Sequence, residues 1–223
     1  MHEIPFAPDQ ELLLKSLRVK NSYDIHAISQ LCSAAKAIAR PKFVYKVSFI
    51  EKRGDNFVIL DGVRFQSRVM SVNFTSLNRV FPFIATSGIE IEEWSRGIQG
   101  MLHHYWADKI KEMALEHARC KGIEDVCNRF NLKRISSMSP GSIEDWPLSE
   151  QIGLFSLLGN AVPEIGVELT DSLLMLPPKT ISLIIFETDT DYQDCQLCPR
   201  KNCVSRKAVY VPSLYEKKYE LQQ

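Results

Sequence analysis

The order of strand-like and helix-like stretches constrains this chain more than any other feature. Runs rich in β-branched and aromatic residues fall at 42–51, 57–60, 63–66, 79–86, 132–138, 165–170 and 180–187. Two of them are separated only by Asp61-Gly62, a dipeptide that favours the tight turn of an antiparallel hairpin because both positions accept positive φ. Parallel strands need a crossover between each pair, and no regular strand–helix alternation runs through the chain. The pattern predicts an α+β fold, a mainly antiparallel twisted sheet with flanking helices. Pro82 interrupts the 79–86 run and predicts an edge position or a bend, since it has no N–H for a ladder.

Helical periodicity accounts for much of the rest. Leu12, Leu13 and Leu17 share a face in 9–20, and Ile25, Ile28, Leu31, Cys32, Ala35 and Ile38 share one in 24–39, which Pro41 ends. Helical composition runs from Ile89 to about Ala118, with a break near Gly97 and Gly100. Leu102, Trp106, Ile110, Met113, Ala114 and His117 make its apolar face. A short helix is expected over Ile123 to Phe130, and another over Pro147 to Leu158, opened by its proline. The chain thus divides into an N-terminal helical segment (1–40), an α+β core (41–188) and a polar, Cys-bearing C-terminal segment (189–223), expected to form one compact unit. Glu216-Lys-Lys-Tyr-Glu reads as a solvated tail.

Charge and composition exclude several classes. The 27 basic and 27 acidic residues among 223 cancel, which argues against a general nucleic-acid binder, because such affinity comes from neutralising phosphates. No apolar run reaches the length of a bilayer span. The start, Met1-His-Glu-Ile-Pro-Phe, has neither the basic nor the apolar region of a signal peptide. A cytoplasmic protein with no nucleic-acid or membrane partner is expected. Walker and Gly-x-Gly-x-x-Gly loops are missing, so nucleotide binding of those kinds has no support.

Of six cysteines, Cys195, Cys198 and Cys203 crowd into nine residues. In a reducing compartment such spacing reads as an iron–sulfur cluster, a structural zinc site, or free thiols that form a redox disulfide. Three thiolates are one short of a closed site; Cys127 or Cys120 is a candidate fourth ligand, as is a non-Cys group. Arg200, Lys201 and Arg206 would offset the charge of a thiolate-ligated centre. Two other signals are weaker. Asp24-Ile-His26-Ala-Ile-Ser29 has the look of a cobalt-ligating loop but lies inside a helical pattern. His103 and His104 are adjacent on a helix and point about 100° apart, a poor arrangement for one ion.

Polar residues from 134 onward carry the most specific signal. They read Arg134-Ile-Ser-Ser-Met-Ser-Pro140-Gly141-Ser142-Ile-Glu-Asp145-Trp146-Pro147-Leu, then Ile165-Gly166-Val-Glu-Leu-Thr170-Asp-Ser172, then Met175-Leu-Pro177-Pro-Lys179-Thr-Ile-Ser182. Physically this is a Pro-Gly loop in which Gly141 lets backbone approach a ligand, a Pro-initiated helix, and short strands around a turn. In order and content it resembles the activation domain of cobalamin-dependent methionine synthase, especially stand-alone versions from anaerobes. That family shows a Ser-Pro-Gly-Tyr-Gly-Asp-Trp-Pro-Leu-like run followed by Ile-Gly-Val-x-Leu-Thr-x-Ser and Met-x-Pro-x-Lys-Ser-x-Ser.

The resemblance implies a protein that binds S-adenosylmethionine and acts on the cobalamin of a separate corrinoid protein, in its reductive reactivation or its methylation. The family's Arg-x-x-Pro-Gly-Tyr pattern puts Ser137 at the Arg position and Ser142 at the Tyr position, around Pro140 and Gly141. Arg134 takes the Arg role if the loop carries an insertion. Asp108 and Glu116, eight residues apart on one helix face, match an Asp and a Glu of the family, and Glu116 would meet the methionyl amino group; without the resemblance both read as solvent-facing acids. Stand-alone relatives also carry a Cys-x2-Cys-x4-Cys tail like the one here. Two functions stay open: an activation-type methyltransferase, or an iron–sulfur electron-transfer or docking partner that does not bind S-adenosylmethionine. A binding module with a structural metal is a third.

Overall fold

A computed structural model describes residues 2–220; Met1 and residues 221–223, the ends of the expected terminal segments, lie outside the described residues. The elements in chain order are β1 (His2–Glu3), α1 (Gln10–Leu17), α2 (Ser22–Ile38), β2 (Lys42–Tyr45), β3 (Ser48–Arg53), β4 (Phe57–Leu60), β5 (Val63–Gln66), α3 (Arg68–Asn73), β6 (Arg79–Thr86), α4 (Ile89–Arg96), α5 (Met101–Phe130), β7 (Ile135–Met138), α6 (Gln151–Leu158), α7 (Ala161–Glu164), β8 (Glu168–Leu169), β9 (Met175–Leu176), β10 (Thr180–Glu187) and α8 (Leu214–Lys218). Eight strands form one sheet whose pairings are all antiparallel, and β8 with β9 makes a separate hairpin. The α+β, antiparallel expectation is met. Asp61 (φ 44°) and Gly62 (φ 82°) form the turn that joins β4 to β5.

Strand β6 is the hub. It pairs with β2 and β3 along one side and with β10 along the other, and β7 lies outside β10. Pro82 therefore sits in the most connected strand, not at an edge. Its effect is to interrupt the ladder. Tyr45 pairs with Phe83 and Ser48 with Val80 in continuous register. Between them Pro82 accepts from the Lys46 amide at 3.1 Å but has no N–H to return. The 42–51 run thus splits into β2 and β3.

Alternation along the strands divides the interior into layers. Phe43, Phe81, Phe83, Ala85, Leu183 and Ile185 face Ala118 and Val126 of α5. Val44, Ile84, Ile184, Phe186 and Met138 face the other way, toward Trp146, α6, Tyr192 and Tyr219. Helices α1, α2 and α4 close over the front of α5 through Leu13, Ile28, Ala35, Ile91, Trp106 and Ile110.

The long helix differs from expectation in two ways. The break at residues 97–100 is present, but α5 then continues through Phe130, absorbing the separate helix expected from Ile123. Gly122 does not end it. A Cβ there would lie 2.4 Å from Phe83 Cε2 and 2.9 Å from Phe43 Cγ, so glycine lets the helix lie directly on the sheet. The buried face runs through Trp106, Ala107, Ile110, Ala114, Ala118, Gly122 and Val126. Leu102 is exposed, and Met113 and His117 are half-buried, because the sheet meets the helix one residue round from the expected stripe.

The C-terminal stretch is not a solvated tail. Residues Leu214–Lys218 form α8, and Tyr219 is fully buried, donating to Asn73 Oδ1 at 3.1 Å. Its carbonyl accepts from Arg68 Nε at 2.8 Å. Among the described residues no helix is long and apolar enough to cross a membrane.

Candidate ligand site at the Pro-Gly loop

Strand β7 delivers the loop. Its residues alternate across the sheet, so Ser136 and Met138 are buried toward Tyr192 and Trp146, while Ile135 packs in the α5 layer and the half-buried Ser137 shares its face. After Ser139 the buried Pro140 turns the chain, and Gly141 (φ 78°) takes a conformation that side chains disfavour. Its amide donates to the Trp146 carbonyl at 2.8 Å, and the Ser142 amide donates to the Ser139 carbonyl at 3.1 Å. A Cβ on Gly141 would also crowd Leu148 at 3.2 Å. Trp146, fully buried, meets the Phe65 ring edge-on at 6.1 Å and anchors the loop.

Asp145 has a structural task. Its carboxylate accepts from the amides of Arg68 (3.2 Å) and Val69 (3.0 Å), from Ser67 Oγ, and from Tyr215 Oη at 3.0 Å. It satisfies the open amides at the start of α3.

The remaining loop donors point at the chain itself. Asp194, just before the Cys cluster, accepts from the Ser139 amide at 3.0 Å and from Tyr192 Oη at 2.8 Å, and the Ser142 side chain also bonds it. Burial pushes its carboxyl up to about 6, against the opposing pull of the Tyr192, Ser139 and Ser142 bonds. The sign follows from that direction. The folded value lies above the ordinary 3.8, so stability is lost as pH rises from about 4 to about 6 and stays lower above it. Asp194→Asn keeps an acceptor and removes the titration. Urea unfolding should therefore show the variant gaining on the parent across that window by roughly 3 kcal/mol at most. A difference that stays flat with pH would contradict the buried carboxylate.

Other expected site residues are each held by an internal partner. Arg134 donates to the Asp189 carbonyl at 2.8 Å and pairs with Asp191. Burial works against ionised Asp108, yet Lys179 at 2.9 Å and Lys111 at 3.6 Å hold its carboxyl below the usual range. Arg119 is the main group that holds Glu116 low, through bonds of 2.5 and 2.8 Å, and Cys120 Sγ lies 3.4 Å away. Glu116 lines a cavity of about 490 Å³ between α1 and α5, together with Leu13, Tyr105 and Met113. The loop is not part of that cavity's wall. What links the two regions is the C-terminal segment: the Lys207 charge acts on Glu116 and Cys120, and the Lys207 amide donates to Cys195 Sγ at 3.4 Å.

The thiols do not fit a metal centre as they stand. Cys195, Cys198 and Cys203 are free and half-buried. Among the described residues no group of three or more His, Cys, Asp or Glu is arranged to hold a metal ion. Cys127 and Cys120, seven residues apart, lie on the same side of α5. The α5 cysteine that the segment approaches is Cys120. Arg206 is what orders the segment, donating to the carbonyls of Cys195 (3.0 Å), Cys198 (3.2 Å) and Ala208 (3.3 Å).

A second cavity, about 760 Å³, was not foreseen from the sequence. Its walls include Gly166, Val167 and Leu169 of one motif run and Leu176 and Pro177 of the next, with Arg96 of α4 as its cation. The volume suits a cofactor-sized ligand. The signal lay in those motif runs, but only folding brings them against Arg96.

Among solved structures the chain is similar to the MetH reactivation domain bound to AdoHcy, with a TM-score of 0.56 and 16% identity over 84% of this chain and 72% of that one. The shared property at this identity is the fold. No family model and no curated protein matches the chain.

Proposed function

We propose that this chain is a stand-alone, activation-domain-like protein that acts on a separate corrinoid protein, in the reductive reactivation or methylation of its cobalamin with S-adenosylmethionine. One coincidence carries the reading. The chain shares the reactivation-domain fold over 84% of its length, and the residues that most resemble that family, 134–182, build both the Pro-Gly loop and a wall of the 760 Å³ cavity. In this reading the chain positions the methyl donor and excludes water while cobalt on the partner accepts the methyl group. Asp108, Glu116, Arg134, Ser137, Pro140, Gly141 and Ser142 remain the proposed ligand residues. Free cysteines accord with a cytoplasmic setting.

A second reading, a docking or electron-transfer partner that does not bind S-adenosylmethionine, is favoured by the internal partners of Asp108, Glu116 and Arg134. Electron transfer through a metal at Cys195, Cys198 and Cys203, with Cys127 or another fourth ligand, would need those thiols to regroup.

Visible spectroscopy separates the readings. The chain is mixed anaerobically with a cobalamin-loaded corrinoid protein and a reductant. Methylcobalamin that forms only with both the chain and S-adenosylmethionine supports the first. Cobalt reduction that needs the chain but not the methyl donor supports the second. Spectra indifferent to the chain sink both.

A further inference from the structure

The donors of the Pro-Gly loop are already taken, and a carboxylate takes them. The Ser139 amide and the Ser142 side chain both bond Asp194. The Gly141 and Ser142 amides close the loop on itself. An external amino-acid carboxylate arriving at this loop would therefore meet Asp194 in place.

We propose that Asp194 is an internal occupant of the ligand loop, and that residues 193–207 form a cap whose release exposes the loop to the carboxylate end of an amino-acid ligand. The proposal rests on the reading of the loop as the ligand loop given above.

The cap is built to move without unfolding the domain. At one end Tyr192 is 2% exposed, its carbonyl held by Ser136 Oγ and its ring set against Phe186. At the other, Tyr219 is fully buried and bonded to Asn73. Both anchors belong to the core layer beneath the sheet. Between them the segment has few deep contacts of its own: Leu197 packs only partly buried, and the Cys residues stay half-buried. Arg206 binds carbonyls within the segment, so it stiffens the cap as a unit and does not tie it to the sheet. Asp194 is the hook to the loop, and Lys207 lies toward Glu116 at the far side. One unit thus holds the loop through Asp194 and reaches toward Glu116 through Lys207.

The test uses the full chain and Asp194→Ala, with amide hydrogen exchange over residues 139–142 and calorimetric titration of S-adenosylhomocysteine. Loss of a charge-assisted bond should speed exchange at Ser139 by about one order of magnitude and tighten S-adenosylhomocysteine binding by about as much. Near-ultraviolet circular dichroism should stay native, since Tyr192 and Tyr219 remain anchored. Should Asp194→Ala fail to fold, Asp194→Ser serves: its hydroxyl keeps a polar group at the site while removing the carboxylate that holds the Ser139 amide and Ser142. Unchanged exchange and unchanged affinity in a folded variant overturn the cap. Faster exchange without any S-adenosylhomocysteine binding keeps the cap and refutes the methyl-donor reading instead.

Discussion

Replacing Trp146 with alanine is expected to cost about 3 to 5 kcal/mol of folding stability, the range for removing a large buried aromatic side chain. Trp146 is fully buried, meets Phe65 edge-on, and belongs to the layer that also holds Met138, Leu154, Tyr192 and Tyr219. Its carbonyl accepts the Gly141 amide, so relaxation around the cavity reaches the loop directly. The indole N–H has no hydrogen-bond partner among the described residues. Trp146→Phe should therefore be much milder, because the polar group it removes was unpaired. Urea unfolding measures both. A loss under about 1 kcal/mol for Trp146→Ala would mean that the loop is not anchored through this ring.

Lys111→Met is the second large effect. Lys111 pairs with Glu92 at 2.8 Å, and their side chains are only 10% and 9% exposed. Removing the lysine leaves Glu92 with Arg96, 3.7 Å away on the surface. Breaking a buried pair from one side costs about 3 to 5 kcal/mol, whereas replacing both partners by apolar groups is often close to neutral. Lys111→Met combined with Glu92→Met should thus recover most of the loss. Lys121–Glu124, with side chains 51% and 56% exposed, is the control; its removal should leave stability essentially unchanged. A double variant as unstable as Lys111→Met would contradict the argument. Lys111 also touches Asp108, which Lys179 ties to the start of β10, so the same network fixes an expected site residue in place.

Local signals made most of the elements legible. Asp61-Gly62 set a hairpin, because its turn needs positive φ at both positions and few other dipeptides supply it. Leu13, Ile28 and Ala35 declared their helices by spacing and are buried as expected. Where reading failed, tertiary contact had the deciding role. Pro82 is tolerated in the central strand because only one side of it lacks a donor and the neighbouring strand breaks there. Gly122 lies between the two helices expected around Ala118 and Ile123, and it is a contact with Phe83 inside one continuous helix. Tyr219, in a charged run, is core because Arg68 and Asn73 receive it.

The site was legible in part. Residues 134–182 carried the resemblance, and the fold agrees with it. The chain's own occupation of the loop was invisible, since nothing local to Asp194 shows that a segment some fifty residues downstream returns to Ser139. The Cys spacing was equally mute about its far partner. It placed three thiols close in sequence, but not which position along α5 the segment would reach; Lys207 comes near Cys120.

The central claim, that this chain works on a corrinoid protein, is tested most directly by association. Sedimentation velocity with a cobalamin-loaded corrinoid protein, its absorbance followed at the wavelengths of the corrin ring, reports whether colour moves with the complex. The account predicts a faster-sedimenting coloured species that saturates as the chain is added. Corrin absorbance that sediments unchanged at the highest soluble concentrations of the chain would contradict it.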